Sequence, residues 1–288
     1  MNWRDFEISV GGKWVLAGEH AVVRGATAIA LPLKEYQLKL QFRPSETRHL
    51  NIEPEEHASV IRELLNSVED RWQANDRSFI QPTGNLSITS TIPLGAGMGS
   101  SAALCVALTR WLQNRLQLPE PEVFEFAKEL EHRFHGRSSG MDVAVVLAGQ
   151  PISYSLSKGA RPLGVRDLPH FTFHDTGVRM RTSDCVHKVE IMKEDTPSLA
   201  LSIDELMGSA SRDATEGLLI YDSGQKAQGL ELVARAMSKA RECFYSWGLV
   251  PDAARHLEED LLGKGALSVK LTGAGGGGML VALWGSKP

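Results

Sequence analysis

Apolar and polar positions alternate or recur along this chain in ways that predict most of its elements. Lys13 to Ala17 and Ala28 to Leu33 are apolar runs flanked by Gly12, Gly18 and Gly25, and Tyr36 to Phe42 alternates; all three predict strands. From Glu55 to Ala74, the spacing of Val60, Leu64, Leu65, Val68 and Trp72 predicts an amphipathic helix. Leu86-Ser87-Ile88-Thr89-Ser90 alternates like a strand, and an apolar helical run follows from about Ser100 to Leu116. Pro119 and Pro121 close that helix and open the next, from Glu122 to about His135, with Val123, Ala127, Leu130 and Phe134 as a core-facing stripe. A short helix around Met141 to Leu147 and a strand around Ile152 to Leu156 end the first half. The second half predicts a strand at Phe171 to His174 and helices from about Asp184 to Met192, Ser198 to Ser209, Gln225 to Trp247 and Asp252 to Leu262. Strands at Leu267 to Leu271 and Met279 to Trp284 close the chain. Strands and helices mix without regular β-α-β alternation, so the expected class is α+β. The stretch from Lys158 to Pro169 turns polar and carries Gly159, Pro162, Gly164 and Pro169, which places a domain boundary there.

Composition narrows the setting. At 288 residues the chain suits two domains, and its 42% hydrophobic and 23% charged content is that of a soluble globular protein. A net charge of −4, with no Lys/Arg run, argues against a nucleic-acid surface. Cys105, Cys185 and Cys243 are widely spaced and odd in number, forming neither a metal-ligand pair nor a disulfide framework. Met1 to Glu7 lacks an apolar signal region and no run reaches the length of a membrane span, so a cytoplasmic protein without membrane contact is expected.

The candidate chemistry begins at Pro93-Leu94-Gly95-Ala96-Gly97-Met98-Gly99-Ser100-Ser101-Ala102-Ala103, set between a strand and a helix. Alternate glycines free the backbone for positive φ and close approach, and N–H groups there can converge on an anion beside the helix N-terminus. No Gly-Lys-Ser/Thr follows, so this is not the ATPase P-loop; nor does an acidic residue follow about twenty positions on in a β-α-β unit. Ser100 and Ser101 stand where a hydroxyl either caps the helix or ligates magnesium beside phosphates. Glu19 and His20 sit between glycine turns at a strand end, as loop residues or as part of a site. Glu131 ends one helix and Asp142 opens another across a Gly-containing turn. The two carboxylates suit a magnesium ligand and a proton acceptor, or else a solvent-facing Glu and a first-turn Asp favoured by the helix dipole. The five glycines among Gly273-Ala274-Gly275-Gly276-Gly277-Gly278 exceed what a tight hairpin needs, implying close backbone approach.

Together and in this order, these motifs resemble the GHMP small-molecule kinases, from Lys13 to Gly278. The Pro-x-Gly-x-Gly-x-Gly-Ser-Ser-Ala-Ala segment is highly specific to that family. Gly12-Lys13 followed by Leu16, Gly18-Glu19-His20-Ala21-Val22-Val23 and Gly25 looks like its mevalonate kinase branch. Galactokinases typically continue Gly-Glu-His with Asp-Tyr, and homoserine kinases lack the Glu-His pair. The resemblance implies a two-domain GHMP kinase fold: a β-α-β type ATP-binding domain over 1–163 and a ferredoxin-like domain over 164–288, with the site in the cleft. It implies Asp142 and Lys13 as catalytic residues and Gly95, Ala96, Gly97, Met98, Gly99, Ser100, Ser101 and Ala102 around the ATP phosphates. Ser101 and Glu131 would hold Mg2+. Glu19, His20, Ser183, Gly273, Ala274 and Gly275 would line the mevalonate site. A homodimer is plausible on the same ground. The chain departs from the family pattern at Ser138, where Pro is usual, at Gly11 before Gly12-Lys13, where Pro-Gly-Lys is usual, and at Gly149-Gln150, where paired glycines are usual.

The expected function is ATP- and Mg-dependent phosphorylation of mevalonate in isoprenoid biosynthesis. Two alternatives stand beside it: the same fold acting on phosphomevalonate or a sugar, and a non-catalytic ligand sensor. A sugar site should show more Asp/Asn near Glu19-His20, and a sensor should have lost Lys13, Glu131, Ser101 or Asp142.

Overall fold

A computed structural model describes residues 3–46, 49–73, 79–135 and 138–287. The expected end of the first helix at Ala74, and Gly136 and Arg137 of the turn before Asp142, lie outside them. The chain divides into two compact units, one from the chain up to Gly12, Lys34–Ile92 and Ser100–Leu147, the other from Lys13–Leu33, Pro93–Gly99 and Ala148–Pro288. Strands β1 (Phe6–Ala17) and β2 (Ala28–Pro44) pair and contribute to both.

In the first unit, β4 (Gly84–Ser90) runs antiparallel to β2 from Leu38↔Ser90 to Pro44↔Gly84 and parallel to β3 (Leu50–Glu53). Leu38, Leu40 and Phe42 alternate inward with Leu86 and Ile88, as the pleat requires. Helix α2 (Ser100–Leu116) lays Trp111 against Phe42, ring centroids 4.9 Å apart. Helix α1 (Ala58–Gln73) meets α3 (Val123–His135) through Trp72 and Phe126 at 5.7 Å, and α3 packs on α2. Val123, Ala127 and Leu130 of the expected stripe are buried; the side chain of Phe134 lies outside the described set. Helix α4 (Met141–Ala148) follows.

In the second unit, β5 (Ile152–Ser155) pairs antiparallel with Ala28–Ala30 of β2 and with β6 (Gly159–Pro162). A separate antiparallel sheet has the order β7 (His170–Asp175), β9 (Met279–Trp284), β8 (Ser268–Leu271). Helices α5 (Thr182–Asp195), α6 (Pro197–Asp222), α7 (Lys226–Ser246) and α8 (Asp252–Gly263) accompany it, with α6 and α7 packed along their length and α7 on β8. The α+β class is as expected.

Three expectations are corrected. The strands at Ala28 to Leu33 and Tyr36 to Phe42 are one strand, β2, because the exposed Lys34 and Glu35 interrupt burial and not the extended backbone. The polar stretch after Lys158 holds β6, exposed along its whole length, so burial gives it no pattern. The helix expected to stop at Ser209 continues to Asp222 as α6, carried by buried Ala210, Ala214 and Leu218 on the same stripe as Ile203 and Met207. Among the described residues, no helix is long and apolar enough to cross a membrane.

Candidate active site

The glycine loop after Pro93 belongs to the second unit, with β1 from Lys13 onward. Gly95, Gly97 and Gly99 have φ of 65°, 77° and 78°, and Ala96 and Met98 between them are buried. Their alternation lets the loop turn repeatedly while anchoring itself through the small and flexible residues between. Lys13 clamps it: the backbone N–H donates to the Met98 carbonyl at 2.9 Å and the ammonium to the Gly97 carbonyl at 3.0 Å. The Lys13 stem fills the space beside Gly99, where a Cβ would lie 2.6 Å from Lys13 Cγ. A buried ammonium bound at a loop of free backbone amides is a site for a polyanion.

The second glycine loop, Gly273 to Gly278, joins β8 to β9, and all five of its glycines have positive φ. Its backbone rests directly on the first loop: a Cβ on Gly97 would lie 2.7 Å from the Thr272 carbonyl oxygen, and one on Gly273 2.7 Å from Gly97 Cα. This interlock accounts for the glycines beyond a hairpin's need. It also sets up a graded test. Gly97→Ala should lower the melting temperature by several degrees, since a strained φ costs roughly 1–3 kcal/mol before the clash is counted. Gly95→Ala should do less, because its Cβ would meet only the flexible Arg179 Cδ at 3.7 Å. Thermal melts of both variants read the difference; equal effects would mean that the interlock contributes nothing.

At the end of β1 the chain turns sharply. Gly18 has φ 107°, and His20 has φ 56° and ψ −45°, with the Ala21 N–H donating to the Glu19 carbonyl at 2.6 Å. A three-residue turn of this kind is strained for a side-chain-bearing residue, and such strain concentrates at functional sites. The His20 ring lies edge-on to Trp247, centroids 4.9 Å apart, with Nε2 2.8 Å from the Ala274 carbonyl oxygen. Burial pushes its pKa down to about 4, so the imidazole is neutral at physiological pH. The carbonyl can only accept, so Nε2 carries the proton and Nδ1 is left as an acceptor. Glu19 is buried and pairs with Lys270, Oε1 to Nζ 2.5 Å; Lys270 also donates to the Val15 carbonyl at 3.0 Å. Burial pushes the Glu19 carboxyl up and the Lys270 ammonium down, each partly restored by the other's charge. Glu19 Oε2 is buried with no hydrogen-bond partner in the structure. The corner therefore holds a buried, unsatisfied carboxylate oxygen, Glu19 Oε2, and leaves His20 Nδ1 as an acceptor.

Ser183 stands exposed in the first turn of α5, and the partner of its hydroxyl is Asp184 at 3.2 Å. Sequence reasoning missed Lys270, Thr272 and Arg179. Thr272 Oγ1 accepts from the Val15 N–H at 2.9 Å, tying the second loop to β1. Arg179 forks onto Asp175, holding that carboxyl down at about 2, and its Nε reaches the Leu94 carbonyl at 3.4 Å. A lysine within the apolar run of β8 was the one available signal for Lys270.

The remaining expected residues lie in the first unit. Helix α2 starts at Ser100, with Ser101 half-buried and Ala102 buried in its first turn. Glu131 is 1% exposed and sits in the last turn but one of α3, whose end at His135 is as expected. Burial raises the Cys105 thiol in α2, and the charge of Glu131 adds to that rise. Cys105 follows Ser101 by four residues, so the two share one stripe of α2 and Ser100 lies off it. Beyond the turn, the Ser138 hydroxyl donates to Glu131 Oε2 and accepts the Gly140 N–H at 3.0 Å. Asp142 is half-buried in the first turn of α4, whose Ala144 N–H donates back to the Gly140 carbonyl at 2.9 Å. Among the described residues, no group of three or more His, Cys, Asp and Glu is placed to hold a metal ion. A buried carboxylate held at one oxygen by the Ser138 hydroxyl suits magnesium, a hard cation that takes few protein ligands and fills its shell with water and phosphate oxygens.

Residues 59–150 match the family described as the GHMP kinases N terminal domain. The mevalonate kinase of Pyrococcus horikoshii is 30% identical over 304 residues, covering 96% of this chain and 87% of that protein. That of Thermococcus gammatolerans is 29% identical over 302 residues, covering 96% and 88%. Among solved structures, L. major mevalonate kinase in complex with R-mevalonate shares the fold with a TM-score of 0.78 at 24% identity, over 98% of this chain and 88% of that one. Lactococcus lactis galactokinase with galactose shares it at a TM-score of 0.71 and 16% identity, over 98% and 86%.

Proposed function

Since the chain belongs to the GHMP kinase family, we propose that it transfers the terminal phosphoryl group of ATP to the 5-hydroxyl of mevalonate, a step of isoprenoid biosynthesis. The observation that carries this reading is the convergence, within one unit, of Lys13, the phosphate loop, the second glycine loop and the Glu19-His20 corner. Gly95, Ala96, Gly97, Met98 and Gly99 would present backbone N–H groups to the phosphates, and Lys13 a cation to the charge of the transferring group. The bond from the terminal phosphorus to its bridging oxygen breaks and ADP leaves with that electron pair. The bond to the mevalonate oxygen forms, and Asp142 takes the hydroxyl proton. Glu131 and Ser101 would hold Mg2+, which neutralises phosphate charge when bound.

The choice of acceptor rests on the corner. The acceptor His20 Nδ1 suits a hydroxyl of an alcohol, with the buried Glu19–Lys270 pair behind it. A phosphorylated acceptor would need clustered, unneutralised cations, and Arg24, Arg179 and Lys270 do not supply them, being paired with Asp204, Asp175 and Glu19. Free, buried Cys105, Cys185 and Cys243 suit a reducing cytoplasm. The test is coupled ADP release with ATP, Mg2+ and a panel of mevalonate, phosphomevalonate, galactose and homoserine. Turnover with mevalonate alone is expected. Turnover with another acceptor would overturn the reading of the corner, and tight ATP binding without any turnover would overturn the kinase assignment.

A further inference from the structure

Glu131 is almost wholly buried, and a buried carboxylate that ligates a cation must also be held in orientation, since the terminal torsion of a glutamate is broad. Ser138 does this with one hydroxyl. The Gly140 amide can only donate, so it occupies an acceptor position on Ser138 Oγ, and the hydroxyl proton is directed to Glu131 Oε2. The relay thus runs from Gly140 N–H through Ser138 to the carboxylate. Gly140 itself, with φ 83°, closes the first turn of α4 through the Ala144 N–H. His132 Nε2 lies 3.3 Å from the Ser138 carbonyl and steadies the same turn from α3. One side chain therefore links the buried carboxylate to the start of the helix that carries Asp142.

We propose that Ser138 is a positioning residue for the divalent cation that accompanies ATP: by holding Glu131 Oε2, it fixes the orientation of the carboxylate that would meet the metal. The inference rests on the kinase reading for the role of Glu131. It concerns a position where the chain departs from the proline usual in the family it resembles. Proline would stiffen this turn by its fixed φ, but supplies no donor. Here the hydroxyl does the stiffening and orients the carboxylate as well.

The measurement is the dissociation constant of ADP, by calorimetry, without metal and with saturating Mn2+. The ratio of the two reports the metal's contribution and is insensitive to general loosening of the nucleotide site. In the wild type, metal should tighten ADP binding. Ser138→Ala and Ser138→Pro should each reduce that ratio by about tenfold, the size of effect seen when the partner of a metal ligand is removed. Their metal-free affinity should be unchanged, and Ser138→Thr should restore the ratio. A wild-type ratio in Ser138→Ala would overturn the proposal, as would equal loss of affinity with and without metal, which marks a merely structural role. Should Ser138→Ala fail to fold, Ser138→Pro and Ser138→Thr carry the comparison: a wild-type ratio in the proline variant, or a lost one in the threonine variant, overturns it. Glu131→Gln separates this from the kinase reading. If it leaves the ratio intact, Glu131 does not hold the metal and the proposal falls, whatever the acceptor panel shows.

Discussion

Asp142→Asn should lower kcat with mevalonate by on the order of 10³-fold while leaving Mg·ADP binding as in the wild type. Asp142 occupies the first turn of α4, half-buried. Asparagine has the same shape and is equally at home near a helix N-terminus, so the fold should survive the change. What it removes is the negative charge and the basic oxygen. Lys13→Met provides the contrast. It takes away the ammonium bound to the Gly97 carbonyl but keeps a stem that packs beside Gly99, so nucleotide affinity should fall along with kcat. A loss confined to kcat in one variant and spread over kcat and ATP binding in the other would separate proton acceptance from phosphate binding. Near-normal turnover in Asp142→Asn would reduce Asp142 to the dipole-favoured residue that the sequence also allowed.

The elements that carry this argument differ in how legible they were. Helix α2 begins at Ser100 as expected, because the glycine run ends where the apolar helical spacing begins, and both signals are local. β9 matches its expected bounds for the same reason: six buried residues follow directly on glycines. The density of glycines at 95–99 and 273–278 announced close approach. It could not announce that the two loops close upon each other, since Gly97 and Gly273 meet only in the folded chain. Burial likewise hid the meaning of Glu19, which read as a loop residue or a ligand for substrate. Its partner Lys270 is 251 positions away, and no periodicity links a strand-end glutamate to a lysine in a distant strand. Ser138 was legible only as a departure from a pattern. Its hydroxyl became informative once the turn brought it onto Glu131.

That hidden pair yields the largest expected effect on stability. Lys270→Met should destabilise the protein by about 3–5 kcal/mol, because it leaves the Glu19 carboxyl buried without its countercharge. The loss should depend on pH in a definite direction. Burial already raises the Glu19 carboxyl, and Lys270 is the first cause opposing that rise, so removing Lys270 raises it further. A group whose pKa is raised on folding contributes stability that is complete below its unfolded value and is lost as pH rises through its folded value. The difference in melting temperature between wild type and Lys270→Met should therefore be smallest near pH 4 and widen toward neutrality. A constant difference would mean that the lysine acts through its hydrogen bond to the Val15 carbonyl and its place over the Phe244 ring rather than through pairing with Glu19. The double variant Glu19→Gln with Lys270→Met should recover much of the stability, since removing both charges also removes the unpaired one. It should not recover mevalonate affinity, because the Glu19→Gln change presents an amide where the corner now offers a carboxylate oxygen. Recovered stability with a persistently raised KM for mevalonate would place Glu19 in the acceptor site and Lys270 behind it as its support. If KM returned with stability, the pair would hold the corner in shape and nothing more.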